Sequence, residues 1–233
     1  MIKNLSFNNS RGEKIEGILK EKGPSESLML VGHGLNSSQD HPATISITDK
    51  LYDMGHSTFF FNFSNNARGF NLNEQVIDIK DITNYFRNYK EIIVLAPSFG
   101  ALNSAISALK IPKIKGLITV NGFFGSEQLG KKLLKKYLFF RLMVFLKKEY
   151  RNNWKYFKDN YKPEDLICNT LIIHCVNDEE VSYVQSKEFF KKAGGKKELY
   201  LVGKGDHHLT KDAYRQEIAE KINQWIKANK NTL

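Results

Sequence analysis

A chain of 233 residues, 41% hydrophobic and 26% charged, is long enough for one sizeable core and too apolar to be disordered. Its formal charge of +10 raises nucleic acid as a partner, but the excess is local: from Lys131 to Lys162, eleven Lys/Arg stand against two acids, a surplus of nine. No nucleic-acid module is recognisable, so no nucleic acid is expected, and the charge belongs to whatever that one segment does.

In chain order, "IKNLSF" and "EKIEGIL" flank an "NNSRG" turn and read as an antiparallel hairpin. "SLMLVGHG" is an apolar strand ending in a glycine loop. "ATISITDKLYDMG" is helix-like with a glycine stop, and "STFFFNF" is the next strand. "NEQVIDIKDITNYFRNY" spaces Val76, Ile77, Ile79, Ile82 and Phe86 as an amphipathic crossover helix. "EIIVLAP" is a strand, "FGALNSAISALK" a helix and "GLITVNG" a strand. Beyond residue 166, "TLIIHCVND" and "KELYLVG" are strands and "SYVQSKEFFKKAGG" is the helix between them. "KDAYRQEIAEKINQWIKANK" closes the chain as a helix with Ile218, Ile222, Trp225 and Ile226 on one face.

Continuous apolar strands alternating with helices predict an α/β fold: a mostly parallel, doubly wound sheet of about eight strands, with its working loops at the strands' carboxyl ends. Residues 126–166 interrupt the alternation with no strand of their own. They are too long for a connecting loop and read as an inserted helical lid or cap on a core of 1–125 and 167–233. In the lid, Lys131, Lys132, Lys135 and Lys136 share a face opposite Leu133, Leu134 and Tyr137. That basic face suits an anionic substrate such as an acyl-CoA thioester, a weak contact with an anionic membrane surface, or plain solvation.

The opening "MIKNLSFNNSRGEKIEG" has no apolar core or cleavage site of a secretory signal, and no run of about 18 uncharged apolar residues occurs. Cys168 and Cys175 flank or lie in one extended strand, which holds them too far apart to pair. Reduced thiols without a secretion signal lead to the expectation of a cytoplasmic protein.

Chemistry concentrates at strand ends. "APSFG" puts Ser98 between an apolar strand and a helix, with Ala96 and Gly100 two residues to either side, where the two backbones must approach closely. A serine hydroxyl is inert at neutral pH without a base and a group to orient that base. "GDHHLT" offers His207 or His208 after the last strand, and "VNDEEV" offers Asp178, with Glu179 and Glu180 beside it. "HGL" supplies a glycine loop whose N–H groups can turn toward a ligand, with His33 and Gly34 as candidate substrate contacts. The adjacent histidines lack a third ligand at metal spacing, so neither a metal nor another cofactor is expected.

Taken together, "HGL", "APSFG", "VND" before "EEV" and "GDHHLT" resemble the α/β-hydrolase superfamily over essentially the whole chain. Within it, the sequence is similar to the small lidded serine carboxylesterases that include the feruloyl and cinnamoyl esterases. The resemblance implies an α/β-hydrolase fold with nucleophile Ser98, acid Asp178 and base His207. It also implies an oxyanion hole from the backbone N–H groups of Leu35 and Phe99. The activity implied is cleavage of a small-molecule acyl ester or thioester. The alternatives are a serine peptidase or aminopeptidase of the same fold, and a binding protein that has kept the fold without catalysis. Phe123, Phe124, Phe139 and Phe140 are candidate lining of an acyl or aromatic pocket. The chain departs from the commoner pattern at Ala96 and Pro97, and "FNFSNNARGFN" follows the family's acidic, glycine-rich stretch only loosely.

Overall fold

The computed structural model describes residues 1–23, 25–35, 37–64, 71–125 and 148–230. The elements in order are β1 (Ile2–Asn8), β2 (Lys14–Lys20), β3 (Ser27–Val31), α1 (Pro42–Asp53), β4 (Thr58–Asn62), α2 (Leu72–Tyr85) and β5 (Glu91–Pro97). They continue with α3 (Gly100–Lys110), β6 (Ile114–Val120), α4 (Lys148–Asn160), β7 (Asn169–Cys175), α5 (Tyr183–Lys192), β8 (Lys197–Val202) and α6 (Asp212–Asn229). The strands make one eight-stranded sheet in the order β1-β2-β4-β3-β5-β6-β7-β8. β1 pairs antiparallel with β2, and β2 with β4; every other pairing is parallel.

Period-two alternation divides the apolar strands between two helical layers. Leu28, Leu30, Ile92, Val94 and Leu117 face one side with Ile79 and Ile82 of α2, Ala101 and Ala105 of α3 and Phe189 of α5. Met29, Val31, Ile93, Leu95 and Ile118 face the other with Ile47 and Leu51 of α1 and Ile218, Ile222 and Trp225 of α6. Each fully buried Leu, Ile or Phe contributes about 1.5–3 kcal/mol to that core. The doubly wound sheet expected from the sequence is therefore the observed one.

One position reads differently from its pattern. Asp78 lies on α2 among apolar neighbours and is fully buried. Its carboxylate accepts from Asn9 Nδ2 at 2.8 Å, an Arg11 Nη at 2.8 Å and Ser64 N–H at 2.9 Å. These bonds tie the β1–β2 turn to α2 and to the exit of β4, and they satisfy a charge that burial alone would expel.

Of the inserted segment, the described part is α4 and a short turn of 3-10 helix at Pro163–Asp165. α4 packs inward through Tyr156 and Phe157, which join Leu72, Val76, Leu102 and Ile106 in a small apolar cluster. Asn153 Oδ1 accepts the Leu72 N–H at 2.7 Å, at the start of α2. Lys148, Lys155 and Lys158 remain exposed. The expectations for Lys131, Lys132, Lys135, Lys136, Phe139 and Phe140 lie outside the described residues.

Candidate active site

β3 and β5 are neighbours at the centre of the sheet, yet β4 and β6 leave them toward opposite edges. Their exits therefore flank the crevice where an open α/β sheet receives ligands. Pro97 ends β5 just beyond its last partner in β3, because the β3–β5 ladder stops at Val31 and Leu95. The missing proline donor thus costs no bond on that side, and Ser98 N–H resumes pairing with Val120 O at 2.9 Å on the other.

Ser98 has φ 51°, the left-handed region that a non-glycine residue enters only under local constraint. The strain turns its side chain off the strand, and α3 begins two residues later. Gly100 shows why the turn needs a small residue after the serine. A Cβ there would sit 2.7 Å from the His33 carbonyl oxygen and 3.5 Å from Ala96 Cβ. A Cβ on Gly34 would sit 3.2 Å from Ser98 Cβ and 3.6 Å from its Oγ, so the β3 exit loop lies directly against the hydroxyl.

Ser98 Oγ lies 3.0 Å from His207 Nε2, and His207 Nδ1 lies 2.7 Å from Asp178 Oδ2. The carboxylate can only accept, so Nδ1 carries the proton and Nε2 is left to accept from the serine hydroxyl. Asp178 Oδ1 accepts from the backbone N–H groups of Glu180 at 2.9 Å and Val181 at 2.8 Å. Burial opposes the Asp178 charge, but hydrogen bonds from His174, His207 and the Val181 N–H outweigh it and hold the carboxyl at about 2.

The two alternatives left by sequence are separated in space. His208 turns outward to Glu180, with Nε2 3.1 Å from Oε1. The other Glu180 oxygen stands 3.8 Å from His207 Nε2.

Leu35 is exposed at the mouth, and Phe99 stacks on Phe123 with ring centroids 5.0 Å apart beside Ser98. His33 and Phe124 lie in the interior instead. The His33 ring is 3% exposed; its Nδ1–H donates to Gly34 O at 2.9 Å, and its Nε2 accepts the Phe63 N–H at 3.4 Å. Phe124 stacks on Phe189 at 4.0 Å in the core. Both brace the site from beneath, and neither leaves a ring face open to a ligand. Among the described residues, no group of three or more His, Cys, Asp or Glu side chains is placed to hold a metal ion.

Three supports were not singled out by the sequence. Asn121, buried with φ 51° at the end of β6, donates through Nδ2 to the carbonyls of Asp206 and His207, each at 3.1 Å, and accepts the Cys175 N–H at 2.8 Å. An asparagine just past an apolar strand, before a glycine, was the available signal, because Asn tolerates the left-handed region. His174, in the middle of the apolar run "TLIIHCV", is fully buried behind Asp178. Gly205 leaves room for Cys175, since a Cβ there would lie 2.2 Å from its Sγ. Both cysteines are free and buried, and burial pushes the Cys175 thiol up to about 12.

No protein-family profile and no curated protein matches the chain. Solved structures do. Est1E from Butyrivibrio proteoclasticus superposes with a TM-score of 0.75 at 16% identity, covering 97% of this chain and 98% of that one. Alpha/beta hydrolase domain-containing protein 10 from mouse gives 0.76 at 16% identity over 97% and 99%. The esterase Pf2001 of Pyrococcus furiosus gives 0.74 at 16% identity over 98% and 92%. At these identities the likeness establishes architecture along nearly the full length of each chain: the protein has the α/β-hydrolase fold.

Proposed function

We propose that the protein is a serine hydrolase that cleaves carboxylic esters or thioesters through an acyl-enzyme on Ser98. The observation that carries this reading is the unbroken line Ser98 Oγ–His207–Asp178, starting from a serine held at positive φ at the centre of the sheet. His207 Nε2 takes the hydroxyl proton as Ser98 Oγ attacks the carbonyl carbon, and Asp178 steadies the imidazolium that forms. The backbone N–H groups of Leu35 and Phe99 receive the oxyanion; one such donor is worth about 3 kcal/mol of transition-state stabilisation. His207 then protonates the leaving group. It next deprotonates a water that attacks the acyl carbon, and it returns that proton to Ser98 Oγ as the acyl–oxygen bond breaks and the carboxylic acid is released.

The acyl group we assign is aromatic or apolar. The stacked Phe99–Phe123 pair beside the nucleophile supports this, as does the fold shared with Est1E, which has been solved with ferulic acid bound. We assign residues 126–166 the role of a lid, because a 41-residue insertion without a strand pattern is too long for a plain connection. The free, buried thiols suit a reducing compartment, and we place the protein in the cytoplasm.

Ser98→Ala should abolish turnover of a p-nitrophenyl ester, and it should abolish covalent labelling by a fluorophosphonate at the same time. Retention of either activity refutes the assignment. A panel of hydroxycinnamoyl, alkyl and thioester substrates then reads the acyl preference, and equal rates on all of them would refute an aromatic pocket.

A further inference from the structure

The line of hydrogen bonds does not stop at Asp178. His174 is fully buried on β7, and its Nε2 lies 3.0 Å from Val181 O and 3.3 Å from Asp178 Oδ2. Its Nδ1 lies 2.7 Å from Ser186 Oγ on α5, and Ser186 is buried as well. A backbone carbonyl only accepts, so the proton at the Val181 side belongs to His174 Nε2, which also points at the carboxylate. Nδ1 is then the acceptor for the Ser186 hydroxyl. Five side chains thus form one chain from a helix in the outer layer to the nucleophile: Ser186, His174, Asp178, His207 and Ser98.

We infer that His174 is a positioning residue for the proposed reaction: a second imidazole, locked as the Nε2–H tautomer, that shares Asp178 Oδ2 with His207 and sets how strongly Asp178 holds the His207 proton. The inference rests on the hydrolase reading of the site. A donor on Oδ2 stabilises the carboxylate and lowers its basicity. With that donor removed, Asp178 grips the His207 proton more tightly, so the imidazole becomes a free base only at higher pH. It also loses one of the contacts that aim Oδ2 at His207 Nδ1. The other ionisable groups around this line are Glu180, 3.8 Å from His207 Nε2; His208, its ring centroid 5.3 Å from that of His207; His41, facing both histidines; the buried Cys175 thiol beside His174; and Asp206 at the base of the His207 loop. None of them bonds His174 directly among the described residues.

Three variants separate positioning from packing. His174→Gln carries an amide N–H to about the reach of Nε2, so it keeps a donor for Asp178. His174→Asn reaches only as far as Nδ1, keeping a partner for Ser186 while withdrawing the donor from Asp178. His174→Leu removes both. On an ester substrate, Asn and Leu should lower kcat roughly tenfold, the rate equivalent of one charge-assisted hydrogen bond. They should also move the acid limb of kcat/KM to higher pH and leave KM nearly unchanged, while Gln should restore most of kcat and the original limb. If all three share the wild-type acid limb, or if Gln behaves like Leu, the inference is wrong.

Should the variants fold poorly, two-bond 1H–15N correlation on the wild-type protein reads the tautomer directly. A proton on Nε2 of His174 is expected, and a proton on Nδ1 alone would overturn the inference. The hydrolase reading fails separately, through an active Ser98→Ala protein, and the tautomer measurement does not depend on it.

Discussion

Replacing Asn121 tests how the His207 loop is held in place. The Ala variant loses an acceptor for the buried Cys175 N–H, costing about 1–3 kcal/mol, and two donors to the loop carbonyls at about 1 kcal/mol each. It also forces a Cβ-bearing residue without asparagine's local hydrogen bonding to sit at φ 51°, for about 1–2 kcal/mol more. Allowing for non-additivity, the total is about 3–5 kcal/mol, against a typical domain stability of about 5–15 kcal/mol. Asn121→Gly forfeits the same bonds without the backbone strain, so it should be about 1 kcal/mol more stable than Ala. Asn121→Asp keeps an acceptor for Cys175 but turns an oxygen toward two carbonyls, so its activity should fall further than its stability. Urea denaturation followed by tryptophan fluorescence gives the stabilities, and kcat/KM on a p-nitrophenyl ester gives the activity. An Ala variant within about 0.5 kcal/mol of wild type and fully active would refute the brace. Ala more stable than Gly would refute the backbone part.

Other expectations follow from single features. Asp178 is held at about 2 against an ordinary 3.8, so its charge contributes stability above pH 4 that disappears as pH falls through 2. The stability gap between wild type and Asp178→Asn, about 2 kcal/mol at neutral pH, should therefore close across that window in urea titrations; a constant gap would contradict it. Helix propensity says that Gly100→Ala should stabilise α3 by about 1 kcal/mol. The 2.7 Å approach to the His33 carbonyl instead predicts destabilisation of about 1–3 kcal/mol with a matching loss of kcat/KM, and the sign of the change decides between them. The buried thiols of Cys168 and Cys175 should resist Ellman's reagent in the native protein and both react once it is unfolded.

The order and type of the elements were readable because each is a local pattern: apolar runs for strands, 3.6-residue spacing for helices, glycine for stops. Ser98 stood out for the same reason, and strand ends also marked His207 with His208 and Asp178 with Glu179 and Glu180; the resemblance, not the local pattern, chose among them. What sequence could not supply was partnership across long separations. Asp78 looks like a polar residue on the outer face of an amphipathic helix until Asn9 and Arg11, 69 and 67 residues away, arrive to bond it. Likewise, a histidine inside "TLIIHCV" announces that something must satisfy its ring. Only the fold shows that Ser186, Val181 O and Asp178 do so, and that His33 spends one nitrogen on its own loop and the other on the Phe63 N–H beyond β4.

The contact between Gly205 and Cys175 has a consequence for how this sequence is free to change. The two positions share one fixed volume: sulfur occupies it from β7, and the absence of a side chain makes room for it from the loop that carries His207. A larger residue at 205 is tolerated only if 175 shrinks, and enlarging 175 displaces a loop that must stay in register with Ser98. Substitutions at the pair must therefore travel together, so that Gly205→Ala and Cys175→Ala, each damaging alone, belong on one path that neither step opens by itself.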